Sequence, residues 1–466
     1  MSTAVLASDS PALPSAKVKI WAKRIILAFG VCCCFWAMHH EIGLSPESIF
    51  LRTFQDSEYR TTDRVESLNF LSALGRIGMA GIGCLCLVIP TREKLKYDNF
   101  LVFVLLTCLL FTCASVAWSI NLSLTVKKLI VLCMFLTGAV GMARQCSFKD
   151  LVIILVIVSV SQSLGGLAVE CAYGFFKPHT SDYRFIGTCH PNTNAILGTV
   201  CCLGAKFFSP KDRLGLLTVL IFCFGFAIIL LTKSRTSLAA MMLSLVMIRF
   251  VTFHPKSRTF LTAGSIFLGI TLLFGLMLSP RYVQDQFLDK ISMGRTKDVA
   301  SLTGRLPLWE TLIEDIQHKP VLGHGYLAYW SKRQIEELGD KLKWEIPHGH
   351  NLYLDVIIDT GIVGLLFLLL LYGSIFQIAA SAYQRTRDPG IAFTIGMLTF
   401  CVIHGFGESL FKLPTFAAFS LTVVVLRLAF WDGRQEVSTA SSESAAAGEP
   451  RPQADHPDSN TGLAAC

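Results

Sequence analysis

Long apolar segments separated by short polar ones run along almost the whole chain. Nearly uncharged runs of about 18 residues recur, which is long enough for a helix to cross a lipid bilayer. Twelve segments are predicted as transmembrane helices: residues 22–38, 68–90, 99–118, 124–142, 150–174, 191–208, 214–232, 235–251, 259–279, 352–378, 390–408 and 413–430. The pattern therefore predicts an all-α polytopic membrane protein with about 12 transmembrane helices.

The positions of lysine and arginine predict how these helices are oriented. Every loop on one side carries at least two positive charges: Arg92, Lys94 and Lys96; Arg144 and Lys149; Lys211 and Arg213; Lys256 and Arg258; Arg385 and Arg387. Because such residues are enriched in cytoplasmic loops, this side and both chain termini are predicted to be cytoplasmic. The formal net charge of +8 is then mostly a topology signal and does not indicate nucleic acid binding.

This orientation divides the chain into five parts. They are a cytoplasmic N-terminal segment (1–21), transmembrane helices 1–9 (22–279), a large outer loop domain (280–351), transmembrane helices 10–12 (352–430) and a tail (431–466). The tail is rich in Ser, Ala, Glu and Pro and is predicted to be disordered and cytoplasmic. The outer loop contains a helical pattern in Leu308, Leu312 and Ile316 and a second, charged helical segment at 332–343.

The composition supports the membrane class. The chain is 52% hydrophobic and 16% charged, whereas soluble domains carry about 25% charged residues. Most of the 16 cysteines lie in apolar runs and the long outer loop has none. They are therefore predicted to be small buried hydrophobic residues, not a disulfide set.

The end of the outer loop carries the first candidate for catalysis. Residues 347–371 read PHGHNLYLDVIIDTGIVGLLFLLLL, with His350 just before the apolar run. If a helix begins near Gly349, His350 lies on nearly the same face as Gly361 and Gly364, which would let a neighbouring helix approach beneath it. A helix N-terminus disfavours protonation of a histidine, so His350 is a candidate general base. The alternative is an interfacial histidine bonded to the loop backbone.

Four cations on the outer side are not explained by the orientation of the helices. Lys233 and Arg235 occupy a very short connection between two apolar segments, and Arg184 and Arg305 lie in longer outer loops. Arginine presents a planar fork of donors that suits phosphate, so convergence of these groups would create a diphosphate site. The alternative for each is contact with lipid headgroups or pairing with a loop carboxylate.

Three other features each allow two interpretations. His348 and His350 form a His-x-His pair that could bind a metal ion. A catalytic zinc needs a third ligand, and His324 is not a persuasive candidate for it, so no metal is expected. His190 precedes a predicted helix, where it either caps the helix or contacts a substrate. Glu408 is costly in lipid and is expected to face the protein, where it could orient a cation.

A set of short motifs in a fixed order carries a family resemblance. His350-Asn351 is followed after nine residues by Gly361-Ile362-Val363-Gly364, and the chain also contains SVAWSINLS, CHPNTNAILG, KSRTS, TGRLPLWE and PVLGHGYLAYW. Together they resemble the O-antigen ligase/polymerase superfamily of bacterial membrane glycan transferases. The resemblance covers roughly residues 70–410.

The resemblance implies a GT-C-like architecture and inverting glycan transfer without a metal or other cofactor. The donor would be an undecaprenyl-diphosphate-linked glycan, and the active site would lie on the periplasmic side of the bacterial inner membrane. The catalytic residues would be Arg235 and Arg305, which bind the diphosphate, and His350, the base or acceptor-positioning residue. The substrate-binding residues would be Lys233, Arg184, His190, Asn351 and Glu408.

The acceptor is left open by these motifs. A ligase would use lipid A core, whereas an O-antigen or exopolysaccharide polymerase would use a second carrier-linked repeat; the family label favoured here is O-antigen ligase-like. A transporter or flippase of lipid-linked glycans would also need outward cations. It would predict charged residues near the middle of the membrane and two similar halves, and the sequence has neither.

Overall fold

The computed structural model describes residues 16–39, 70–90, 97–180, 183–208, 215–253, 299–342, 346, 348–409 and 415–430. These residues form thirteen α-helices, two short 3-10 helices and no strand. The α-helices are α1 (Ala16–His39), α2 (Phe70–Val88), α3 (Asn99–Ala114), α4 (Leu122–Gln145), α5 (Phe148–Ala172), α6 (Pro191–Gly204), α7 (Leu216–Leu231), α8 (Arg235–Thr252), α9 (Val299–His318), α10 (Lys332–Leu342), α11 (Leu352–Thr386), α12 (Pro389–His404) and α13 (Phe416–Ala429). The 3-10 helices, Ser115–Trp118 and Ala205–Phe208, follow α3 and α6.

The helices have the lengths and composition of a membrane bundle. Seven are long and apolar enough to cross a bilayer: α1, α2, α3 with its 3-10 extension, α4, α5, α8 and α11. Three shorter apolar helices are α7, α12 and α13. The all-α membrane class is therefore confirmed, whereas the count of twelve spans and the GT-C-like architecture stay predictions. The predicted span at 259–279 lies outside the described residues, as does the tail.

The centre of the bundle is built around α5, α12 and α13. These helices are apolar on nearly all sides, and Leu155, Phe393, Phe400 and Phe419 are fully buried between them. A helix that is hydrophobic all round belongs in the interior of a bundle and not at its surface. The polar turn after α12 therefore follows a helix that is packed in the centre of the bundle.

The outer loop packs on the start of α11. Both helices predicted within the loop are present as α9 and α10, and their apolar residues form a second core with Ile358 of α11. That core contains Leu308, Leu312, Tyr329, Trp330, Ile335, Leu338 and Ile346. Since α9 carries Arg305, this packing fixes Arg305 relative to the membrane helices.

Gly361 breaks α11, and the outer loop docks into the break. Its backbone has φ 71° and ψ −173°, which is not helical. Four backbone hydrogen bonds join residues 358–363 to loop 320–325: Ile362 N to Pro320 O, Val363 N to Val321 O, His324 N to Ile358 O and Gly325 N to Asp359 O. A Cβ atom at Gly361 would overlap the carbonyl of Val321, so both space and backbone conformation require glycine.

Candidate active site

Glu408 is the centre of a polar cluster that joins three distant parts of the chain. It lies in the turn after α12, where its N–H donates to the carbonyl of His404. Oε1 accepts hydrogen bonds from Asn192 Nδ2 (2.5 Å) and Arg305 Nη2 (3.2 Å), and Oε2 lies 3.3 Å from His350 Nδ1. The expectation that Glu408 faces the protein and orients a cation is therefore matched by its contact with Arg305.

The surroundings of Glu408 stabilise its charged form. Burial raises the pKa of its carboxyl, but the hydrogen bond and charge of His350 and the charges of His348 and His190 together hold that pKa well below its usual value. The Glu408 side chain is 12% exposed. Glu408 is therefore a fixed negative charge at the base of the site.

Arg305 reaches the turn after α12 from helix α9. Its Nη1 donates to the carbonyl of Gly407 at 3.0 Å, and its Nη2 pairs with Glu408. The Arg305 side chain is 29% exposed, so it is not fully enclosed by the protein. A guanidinium has five N–H donors, and the remaining ones are suited to a phosphate oxygen.

His350 lies outside helix α11, and the predicted helix face beneath it is wrong. The helix begins at Leu352 with Asn351 as its N-cap, and His350 has φ 47°. The break at Gly361 separates the two halves of α11, so an uninterrupted stripe from His350 to Gly364 does not exist. Gly361 serves the docking of loop 320–325, whereas a Cβ atom at Gly364 would overlap the Thr360 side chain and lie 3.6 Å from Phe111 of α3.

Several contacts hold the segment 348–352 in place. Asn351 Oδ1 accepts from the N–H groups of Tyr353 (3.0 Å) and Leu354 (3.2 Å), and Leu352 N donates to Gly405 O at 2.8 Å. On the other side, Trp309 Nε1 donates to Gly349 O at 2.8 Å. Asn351 thus has a capping role that positions His350, while its contact with substrate stays a prediction.

Asn192 is a site residue that the sequence analysis missed. Its Nδ2 donates to Glu408, and its Oδ1 accepts from Arg184 Nη2 (3.2 Å) and Ser234 Oγ (3.1 Å). Arg184 is further fixed by a 2.8 Å hydrogen bond from its Nε to the carbonyl of Thr232. The signal was available, because Asn192 belongs to the same CHPNTN element from which His190 was selected.

Lys233 and Arg235 flank the connection between α7 and α8. Lys233 has φ 50°, and Arg235 is the first residue of α8. Both side chains are half-buried. Within the described part of the chain, no hydrogen bond or ion pair joins the Arg235 guanidinium to another residue. Ser234, between them, contacts Asn192 and so ties this connection to the cluster.

A hydroxyl chain links the cluster to the interior of the bundle. Ser234 Oγ lies 2.8 Å from Ser237 Oγ, which in turn lies 2.8 Å from His404 Nε2. His404 is fully buried. It therefore serves as an anchor for the start of α8.

His190 caps helix α6, as one of its two interpretations predicted. Its Nδ1 accepts from the N–H of Asn192 at 3.3 Å, and Pro191 follows as the first helical residue. The side chain is exposed and lies close enough to Glu408 to affect its charge. A role in substrate binding stays a prediction.

One group of side chains has metal-ligand chemistry. His348, His350 and Glu408 each offer one ligand atom, and these atoms lie within 4.8 Å of one another. No metal was expected because the histidine pair had no third ligand, but Glu408, 58 residues further along the chain, places a carboxylate where a third ligand would be needed.

The cluster places the imidazole of His350 and the positive charge of Arg305 against the same carboxylate, that of Glu408. His350 Nδ1 lies 3.3 Å from Glu408 Oε2, and the neutral tautomer that donates Nδ1–H to this carboxylate presents Nε2 as the proton acceptor. Arg305 lies on the same carboxylate. Such an arrangement can remove a proton beside a bound anion.

Part of this chain matches a family of known proteins. Residues 219–369 match the family described as O-antigen ligase. This segment contains Arg235, Arg305 and His350, whereas Asn192 and Glu408 lie outside it.

Three curated proteins extend this similarity. The exopolysaccharide production protein ExoQ of Rhizobium meliloti is 26% identical over 325 residues, which cover 62% of this chain and 69% of that protein. The ComP-specific O-oligosaccharyltransferase of Acinetobacter baylyi is 22% identical over 324 residues, covering 64% of this chain and 54% of that protein. A putative polysaccharide ligase of Rickettsia conorii is 27% identical over 144 residues, covering 28% of this chain and 35% of that protein.

Proposed function

We propose that the chain is a member of the O-antigen ligase-like superfamily, which the match of residues 219–369 and the curated relatives support, and that it transfers a glycan from an undecaprenyl-diphosphate carrier to an acceptor hydroxyl. The reaction takes place at the periplasmic face of the bacterial inner membrane, with both chain termini in the cytoplasm. The observation that carries the proposal is that His350 and Arg305 both contact Glu408. His350 is 58 residues and Arg305 is 103 residues away from Glu408 in the sequence.

His350 acts as the general base. Its Nδ1 lies 3.3 Å from the Glu408 carboxylate, and Nε2 is the atom assigned to take the proton of the acceptor hydroxyl. The carboxylate fixes the tautomer and stabilises the imidazolium that forms. A positioned base of this kind contributes about 10²- to 10⁴-fold to a rate.

Arg305 and Arg235 bind the diphosphate of the donor. As the acceptor oxygen forms a bond to the anomeric carbon, the bond from that carbon to the diphosphate oxygen breaks with inversion. The anomeric carbon gains oxocarbenium-like character and the departing diphosphate gains negative charge. Fixed guanidinium groups stabilise that charge without reorganising, and Arg184 and Lys233 add positive charge beside them. No metal is needed for these steps.

A polymerase is the second candidate for the same apparatus. It differs from a ligase only in the acceptor, which would be another carrier-linked repeat instead of lipid A core. The similarity to an exopolysaccharide production protein over 62% of this chain favours this alternative. The oligosaccharyltransferase among the relatives supports the transfer reaction itself.

The test uses purified full-length protein with an undecaprenyl-diphosphate glycan and two acceptors. Glycosylated lipid A core identifies a ligase, and a longer carrier-linked chain identifies a polymerase. The His350→Ala variant should lose about 10²- to 10⁴-fold in rate while it still inserts and binds donor. Wild-type product formation by this variant, or movement of the lipid-linked glycan without any product, would refute the proposal.

A further inference from the structure

We propose that His348, His350 and Glu408 bind a divalent transition metal ion of the zinc type, and that its binding switches off glycan transfer. The inhibition rests on the proposed function, whereas the metal binding does not. The two parts can therefore be tested separately.

The positions of the ligand atoms suit a zinc ion. Zinc bonds to histidine nitrogen and carboxylate oxygen are about 2.0–2.2 Å long, which places two ligands of a tetrahedral ion roughly 3.3 Å apart. His350 Nδ1 and Glu408 Oε2 are separated by 3.3 Å. All three ligand atoms lie within 4.8 Å.

His348 lies beside His350 and offers the third ligand atom. Its ring centroid lies 4.1 Å from that of His350, and its Nδ1 accepts a long 3.2 Å hydrogen bond from the His350 N–H. The ring is half-buried, and one of its nitrogens is among the three ligand atoms that lie within 4.8 Å of one another. Two histidines and a glutamate match the ligand type of open zinc sites, which leave a fourth position for water or substrate.

The other contacts of Glu408 are compatible with the ion. Arg305 and Asn192 both bind Oε1, so Oε2 is available to the metal without losing either of them. Partners that orient a metal-bound carboxylate in this way usually strengthen the site. Magnesium and calcium prefer all-oxygen ligands, so neither should compete well here.

Binding of the ion would disable His350 as a base. A neutral imidazole that coordinates through Nδ1 carries its proton on Nε2. The nitrogen needed to accept the proton of the acceptor hydroxyl is then occupied. The ion would also neutralise the carboxylate that stabilises the imidazolium.

The experiment titrates metal-free, full-length protein with Zn²⁺ by calorimetry and with Co²⁺ by its visible absorption. The expected result is one saturable site, weakened by at least about tenfold in His348→Ala and unchanged in His318→Ala, which alters an exposed histidine of α9. The absence of a saturable site, or equal affinity in wild type and His348→Ala, would overturn the metal site whatever the activity.

A transfer assay then tests the regulation. Zn²⁺ should inhibit wild type reversibly, EDTA should restore the rate, and Mg²⁺ should have no effect. Relative to its own rate without the ion, His348→Ala should require at least about tenfold more Zn²⁺ for half-inhibition than wild type. Activation by Zn²⁺, or equal inhibition of wild type and His348→Ala, would refute the switch. Failure of every sample to transfer glycan, with zinc bound as expected, would refute the proposed function and leave the site intact.

Discussion

Oε2 of Glu408 lies 3.3 Å from Nδ1 of His350, although the two residues are separated by 58 positions and lie in different connecting segments. Glu408 also pairs with Arg305 and accepts from Asn192. One carboxylate thus sets the positions of the proposed base and of one proposed diphosphate ligand. Changes at Glu408 should therefore affect catalysis more than folding.

Replacing Glu408 with glutamine tests this positioning role. The substitution keeps the size of the side chain and removes the charge that stabilises the His350 imidazolium. We expect kcat to fall about 10- to 100-fold with little change in KM for the donor. The matched control is Glu314→Gln, which makes the same change at a carboxylate whose side chain is 70% exposed. A variant with the wild-type kcat would contradict the role.

Replacing Arg305 with lysine tests recognition of the diphosphate. Lysine keeps the positive charge but cannot contact Gly407 O and Glu408 Oε1 with a planar fork while it binds phosphate. We expect at least about a tenfold loss in kcat/KM for the donor, measured by initial rates, because bidentate recognition is lost. Arg333→Lys is the control, since that side chain is 88% exposed and pairs only with Glu337 in the described structure. Equal kinetics for Arg305→Lys and wild type would rule out a bidentate role.

Gly361→Ala tests the break in α11. Alanine at φ 71° is strained, and its Cβ would overlap the carbonyl of Val321. We expect the free energy of unfolding to fall by about 1–3 kcal/mol. The measurement is thermal unfolding in detergent.

Gly373→Ala is the matched control in the same helix. A Cβ at Gly373 meets no atom within 4 Å. This variant should be neutral or gain up to about 1 kcal/mol from helix propensity. Equal effects of the two substitutions would show that the break does not demand glycine.

The burial of His324 should make the free energy of unfolding depend on pH. Burial lowers its pKa, although its hydrogen bond to the Ile358 carbonyl opposes this. The unfolded chain takes up a proton near pH 6.5, at about the ordinary histidine pKa, whereas the folded loop takes it up only at lower pH. The stabilisation from neutral His324 is therefore complete above about pH 6.5 and is lost as the pH falls.

The measurement compares thermal unfolding of wild type and His324→Gln between about pH 7.5 and 5, a range that brackets the ordinary histidine pKa. The melting temperature of wild type should fall more steeply with decreasing pH than that of the variant. His318→Gln should follow wild type, because His318 is exposed. Parallel curves for wild type and His324→Gln would contradict the prediction.

The apolar helices could be predicted because crossing a bilayer constrains length and composition together. His350 could be selected because it lies where a polar segment meets a long apolar one, and Arg305 because the orientation of the helices does not explain a cation on the predicted outer side. Asn192 was missed because a neutral amide does not contribute to a charge pattern, although it lies in the CHPNTN element. The contact of Glu408 with the histidine pair was missed because sequence spacing gives no sign that the turn after α12 returns to residues 348–350.

The break in α11 shows a different limit. A Gly-x-x-Gly step in an apolar segment is typical of close helix packing, and the sequence analysis interpreted it in that way. The actual partner is the backbone of loop 320–325, which forms hydrogen bonds on both sides of Gly361. The positive φ at Gly361 does not change the pattern of apolar residues along the segment, so that pattern could not predict the break.

The docking of the outer loop into the break of α11 determines how this protein can be recombined with its relatives. Residues 320–325 provide backbone partners for residues 358–363, so neither segment is complete alone. A chimera that exchanges only the loop would combine a loop from one protein with an α11 from another. Backbone N–H and C=O groups of residues 358–363 that then found no partner would be buried in a nonpolar interior. A functional exchange would transfer the loop together with the first half of α11, with the junction placed beyond Gly364.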